Sequence, residues 1–148
     1  MSKTRAIPYS TTLLVKDSCL CLHLQRAARV LARRFDDAFR PARLTNGQFS
    51  LLMSLNRLEP PSIGSVAALL AMDRTTLTAA LKPLEQRGLV AVSVSAKDRR
   101  SRLLALTPAG RAALAKALPI WKRQHRLIEA ALSKGGPDRL RRALDGLN

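Results

Sequence analysis

Apolar residues recur at three- and four-residue intervals through most of the chain and alternate one by one in a single short stretch, so helices should dominate. Leu20, Leu24, Ala27, Ala28, Leu31 and Phe35 form the first such stripe. It predicts a helix capped by Asp17 or Ser18, running to about Phe39 and stopped by Pro41. Arg26, Arg29, Arg33 and Arg34 occupy the rest of its surface. Residues 1–16 read as a loose basic tail. Thr45 should cap a second helix reaching about Leu58, with Phe49, Leu52 and Leu55 as its buried stripe and Pro60-Pro61 as its break. Ser62 or Ser65 opens a short third helix ending near Met72. Asp73 caps a fourth, which runs toward Arg87 and stops at Gly88.

The alternating stretch is Leu89 to Ala96, LVAVSVSA, whose β-branched pattern predicts a strand. Lys97 to Ser101 makes a turn, and Arg102 to Leu106 returns as a second strand. Thr107-Pro108 then supplies a cap and a proline at the first helical position of a long helix reaching about Ser133. Gly135-Gly136 ends it, and Pro137 starts a last short helix. The predicted fold is mainly α with a small β-hairpin. Its order of helix, hairpin and helix suits a winged helix-turn-helix with further helices before and after it.

The fourth helix separates into two faces. Leu77, Leu81 and Leu84 lie on one; Thr75, Thr78, Ala79, Lys82 and Gln86 lie opposite. Hydroxyls, methyls and one ammonium on that outer face can read base edges and hold phosphates. The hairpin tip carries Lys97, Asp98, Arg99, Arg100 and Arg102. An exposed arginine beside a turn can enter a minor groove, and Asp98 is expected to brace a neighbouring guanidinium by a bidentate pair. Arg74 and Thr76, at the start of the fourth helix, complete the candidate DNA-binding set.

Charge sharpens this picture. The 148 residues hold 26 Lys and Arg against 10 Asp and Glu, a formal net charge of +16, which favours a polyanionic partner. A hydrophobic content of 47% excludes a disordered chain, and the length suits one domain. Two cysteines, Cys19 and Cys21, make no disulfide framework. Leu13–Val15 is too short for a secretory core, and no apolar run approaches a membrane span, so a cytoplasmic protein with no membrane association is expected. His23 and His125 are too sparse for a metal site, and Asp36-Asp37 adds nothing convincing to them. No nucleophile–base pair or phosphate loop points to an enzyme, and no cofactor is expected. A basic structural or RNA-associated protein would account for the charge but not for the ordered wing and long terminal helices. Trp121 and Phe39 are expected to pack at a dimer interface.

Three segments together resemble the MarR family of bacterial transcription regulators. LTNGQFSLLMSL is similar to that family's second helix, SVAALLAMDRTTLTAALKPLEQRGLV to its helix-turn-helix, and DRRSRLLALTPAGRAAL to its wing and the start of its dimerisation helix. The resemblance covers roughly residues 18–135. It implies a single MarR-like domain over 1–148, with a tail and dimerisation helix in 1–40, the winged module in 44–107 and dimerisation helices in 108–148. It implies a homodimer on palindromic duplex DNA, acting as a repressor relieved by a small phenolic or apolar ligand or by thiol oxidation. Many members carry arginine at the positions of Ala79 and Pro83; here both are lost. In hydroperoxide-sensing members a reactive cysteine lies where Cys21 stands, but Gln25 and Phe35 replace the tyrosines that orient it. Cys19 and Cys21 are therefore either redox groups or small apolar fillers.

Overall fold

The computed structural model describes residues 6–148 and contains seven α-helices and two strands among them. The chain divides into two compact units, Met1–Arg34 and Phe35–Asn148, with the boundary inside a helix. In the first unit, α1 spans Tyr9–Ser18 and α2 begins at Leu20, extending to Phe39. The expected loose tail is thus helical from Tyr9 onward; its first five residues lie outside the described part. Neither Asp17 nor Ser18 caps α2. The Ser18 hydroxyl donates back to the Leu14 carbonyl, a bond that competes with helix continuation. Cys19 then takes an extended backbone, with ψ 106°, and its sulfur accepts the Leu22 N–H at 3.5 Å.

The second unit begins with the end of α2. Pro41 sits in a 3-10 turn, Arg40–Ala42, directly after that helix, as the sequence leads one to expect. Thr45 caps α3 (Asn46–Ser54) in a reciprocal box: its hydroxyl accepts the Gln48 N–H and the Gln48 side chain accepts the Thr45 N–H. Asp36 accepts the Asn46 N–H at 2.7 Å, tying α3 to the end of α2. α3 stops at Ser54, short of the proline pair. Ser62 caps α4 (Ile63–Leu69), and Asp73 caps α5 (Arg74–Gln86). Between them Ala71 adopts a left-handed conformation, φ 51°, which glycine or asparagine usually fills.

Gly88, at φ 68°, ends α5 and feeds β1 (Val90–Val94), which pairs antiparallel with β2 (Arg102–Leu106) in the register Val90↔Leu106. The Leu104 N–H donates to the Pro61 carbonyl at 2.9 Å and Ser62 bridges Leu103, so the segment leading into α4 lies along β2 like a short third strand. α6 (Pro108–Ala130) and α7 (Gly136–Asp145) follow. Arg141 of α7 donates to Glu129 of α6 at 2.6 Å and to Asp138 at 2.7 Å.

Leu52, Val66, Leu77, Leu84 and Leu104 are fully buried, one or more from each of α3, α4, α5 and β2, and Phe39 joins them. Phe39 stacks on Phe35 and Phe49 with centroids 5.7 and 4.8 Å apart. It is a core residue of its own chain, contrary to its expected place at a dimer interface, because the 3-10 turn folds it back onto α3.

Gly110 packs against the Leu89 carbonyl so closely that a β-carbon there would stand 2.0 Å from the oxygen. Both partners are backbone-fixed, so the helix itself must shift to admit a methyl group. Gly110→Ala should destabilise the fold by about 3 kcal/mol, read as a lower urea midpoint. Coincident midpoints would show that α6 moves freely on the hairpin.

Candidate nucleic-acid interface

The outer face of α5 is built by its cap and its inner stripe. Leu77, Leu81 and Leu84 anchor the helix in the core, which turns Thr75, Thr78, Ala79, Lys82 and Gln86 outward. Pro83 stands inside the helix on its exposed side without ending it. Arg74, Thr75, Thr78, Ala79 and Lys82 line a shallow groove of about 350 Å³ along this face.

The threonines differ in freedom. Thr76 donates its hydroxyl to Asp73 at 2.7 Å, and its N–H donates to the same carboxylate at 2.8 Å. Its side chain therefore serves the cap. Thr78 donates to the Arg74 carbonyl at 2.8 Å, which leaves its methyl group and oxygen lone pairs facing the groove. Thr75 has its hydroxyl in none of the hydrogen bonds of the described residues.

The wing tip departs from expectation at Asp98. Its carboxylate accepts the Arg100 backbone N–H at 3.0 Å instead of gripping a guanidinium. An aspartate two residues before an N–H closes a local turn, and that short-range bond outcompetes a flexible partner. Arg102 reaches back to the Arg99 carbonyl at 3.3 Å. Lys97 and Arg99 are exposed at the tip.

A polar cleft of about 330 Å³ brings the two halves of the site together. Arg74 and Thr78 of α5, Asp98, Arg100, Ser101 and Arg102 of the wing, and Ser62, Ile63 and Gly64 at the start of α4 line it. Arg99 and Lys97 do not. Sequence reasoning missed Ser62, Gly64 and Ser101, whose place in the site follows only from α4 lying along β2.

A second cavity of about 510 Å³ lies between α3, α4 and α6. Phe49, Ser50, Met53, Ser54, Leu69, Leu70, Leu118 and Trp121 enclose it. Its size suits a small organic molecule. The Ser54 hydroxyl is already given to Leu51, so its walls offer little polarity. Trp121 is half-buried here, stacked on His125 at 4.5 Å. In the first unit, Cys21 is exposed and accepts the Gln25 amide at 3.3 Å, while Cys19 is half-buried and caps α2.

Residues 44–101 match the MarR family model. The organic hydroperoxide resistance transcriptional regulator of Bacillus subtilis (strain 168) is 31% identical over 101 residues, 68% of this chain and 69% of that one. The chain belongs to the MarR family. Its fold is that family's winged helix-turn-helix. The M. tuberculosis transcriptional regulator MosR, solved in complex with DNA, superposes with a TM-score of 0.81 at 38% identity, covering 88% of this chain and 93% of that one. Bordetella bronchiseptica BpsR, whose DNA binding is regulated by 6-hydroxynicotinic acid, gives 0.78 at 26% identity over 88% and 93%.

The Asp73 cap responds to acid. Hydrogen bonds from the Thr76 N–H and hydroxyl hold the Asp73 carboxyl below the ordinary aspartate value. A depressed folded value contributes stability that is full above the unfolded value of about 3.9 and lost as pH falls through the folded one. Asp73→Asn keeps a capping oxygen and should flatten this acid dependence of the melting temperature. An acid limb identical to that of the wild type would place the titration elsewhere.

Proposed function

We propose that this MarR-family regulator binds palindromic duplex DNA as a homodimer and represses transcription until a small apolar ligand, phenolic or otherwise, releases it. The observation that carries the reading is the polar cleft shared by α5 and the wing. One helix face and one basic finger converge there, as needed to span adjacent grooves. The likeness to MosR, solved in complex with DNA, supports the DNA-binding reading. Thr75 and Thr78 would read bases, Lys82 and the wing arginines would hold phosphate or the minor groove, and Arg74 would join the two. Thr76 and Asp98 would act indirectly, by holding the helix start and the wing turn.

Homodimerisation has its own support. Leu20, Leu24, Val30 and Leu31 of α2, and Leu127, Leu132, Leu140, Leu144 and Leu147 in the last two helices and their ends, are exposed in the single chain. So many exposed leucines in amphipathic helices call for a second copy to cover them. Two chains then present two α5 helices to a two-fold site.

The cavity between α3, α4 and α6 is the effector site in this reading. A ligand wedged there would press on α4, which packs against α5 and holds the wing through Pro61. Its apolar walls favour an aromatic or alicyclic body. BpsR supports control of DNA binding by a small ring compound.

Binding to a duplex enriched from a random pool, against a scrambled duplex of equal composition, tests the DNA reading. The enriched duplex should bind more tightly and take two chains. Arg100→Ala should weaken both duplexes with a shallower salt dependence, and Arg99→Ala should do less, since of these two residues Arg100 lines the cleft and Arg99 does not. No preference between the duplexes would favour a structural nucleic-acid binder instead.

A second reading of the effector, an oxidant, rests on Cys21, which is exposed and held by Gln25. The hydroperoxide-resistance regulator of B. subtilis supports it. Oxidation to a sulfenic acid adds a polar oxygen on α2. Peroxide should then lower operator affinity in the wild type and not in Cys21→Ser with Cys19 intact. An equal response in both proteins would leave the apolar cavity as the effector site.

A further inference from the structure

We infer that Gly64 is a positioning residue: its missing side chain makes room for the Arg74 guanidinium, which with Arg100 and Arg102 forms a clamp for one DNA backbone phosphate. The inference rests on the DNA-binding reading and assigns a task to a residue that contributes no functional group.

A β-carbon placed on Gly64 would stand 2.9 Å from Arg74 Nη2, 3.6 Å from Cζ and 3.8 Å from Nε, and these are the three nearest atoms. Gly64 is the second residue of α4, and its φ is not positive. Its conformational freedom is therefore unused, and what the position exploits is empty space. The Arg74 guanidinium occupies that space, with Nη2 nearest to Gly64.

The tie between α4 and the wing completes the geometry. Leu104 donates to Pro61 and Ser62 bridges Leu103, so the strand leading to Arg102 is fixed to the residues just before Gly64. Arg74, Arg100 and Arg102 consequently line one cleft, with the hydroxyls of Ser62 and Ser101. Three guanidinium groups face a single carboxylate, Asp98, which is already bound to the Arg100 N–H. Among the described residues no ion pair involves any of the three arginines. A doubly hydrogen-bonded, singly charged phosphate diester fits that excess.

The test compares Gly64→Ala, Arg74→Ala, their double mutant and Arg100→Ala in the full-length protein. Each is titrated with the enriched duplex and with its scrambled counterpart at several salt concentrations, beside a melting curve. Alanine displaces only the end of a flexible side chain and is the better helix former, so Gly64→Ala should melt no lower than wild type. It should nonetheless bind both duplexes about tenfold more weakly, as loss of one charged hydrogen-bonding contact implies. Its salt slope should fall by about one. The double mutant should bind no more weakly than Arg74→Ala. Binding of Gly64→Ala within about twofold of wild type, while Arg100→Ala is weakened, would overturn the inference and leave the DNA reading standing. Additive losses in the double mutant, or a lower melting temperature for Gly64→Ala, would overturn it too. Wild-type protein that binds neither duplex would overturn the DNA reading itself.

Discussion

The winged module hangs on one short junction, Gly88-Leu89 against Thr107 to Gly110. The Thr107 N–H donates to the Leu89 carbonyl at 3.1 Å, and its hydroxyl donates to the Gly88 carbonyl at 2.6 Å. That same hydroxyl accepts the Gly110 N–H at 3.0 Å and so caps α6. Gly110, lacking a side chain, lets α6 close onto the Leu89 carbonyl. In a few residues the end of α5, the base of both strands and the start of α6 are fixed to one another. The angle between helix face and wing is a consequence of this junction, and a site split between the two could not be held without it.

The electrostatics follow from where the acids are. Asp37 is spent on Arg40, and Glu129 and Asp138 on Arg141, outside α5 and the wing. Asp73 and Asp98, the acids nearest the site, bind backbone N–H groups and serve as structural hinges for a helix start and a turn. The three arginines around the cleft thus outnumber its one carboxylate, Asp98, and leave a local positive excess there. In the proposed reading, with Ala79 and Pro83 where many members carry arginine, Thr75, Thr78 and Lys82 would meet the DNA from α5 and Arg74 would join them to the wing.

The same connections can carry regulation. α4 touches the apolar cavity through Leu69 and Leu70, packs on α5, and begins where Pro61 and Ser62 join β2. A well-packed core transmits displacement instead of absorbing it. A ligand between α3 and α6 would therefore act on the element that joins the two halves of the proposed DNA surface.

The sequence by itself determined what local chemistry determines. Thr45, Ser62, Asp73 and Thr107 cap the helices assigned to them, because each cap bond closes within three residues. β2 runs over Arg102–Leu106 as the return from the basic turn, and Leu77, Leu81 and Leu84 point inward as their spacing requires. Tertiary structure decided the rest. α1 has no apolar stripe to announce it, and Ala71 takes a glycine-like conformation with no glycine to mark it. Phe39 turned into its own chain's core. Gly64 and Arg74 are ten positions apart with nothing in either to suggest the other. Their contact exists because α4 and α5 cross, and a crossing is set by which side chains fill the space between helices, which no single stretch of sequence contains.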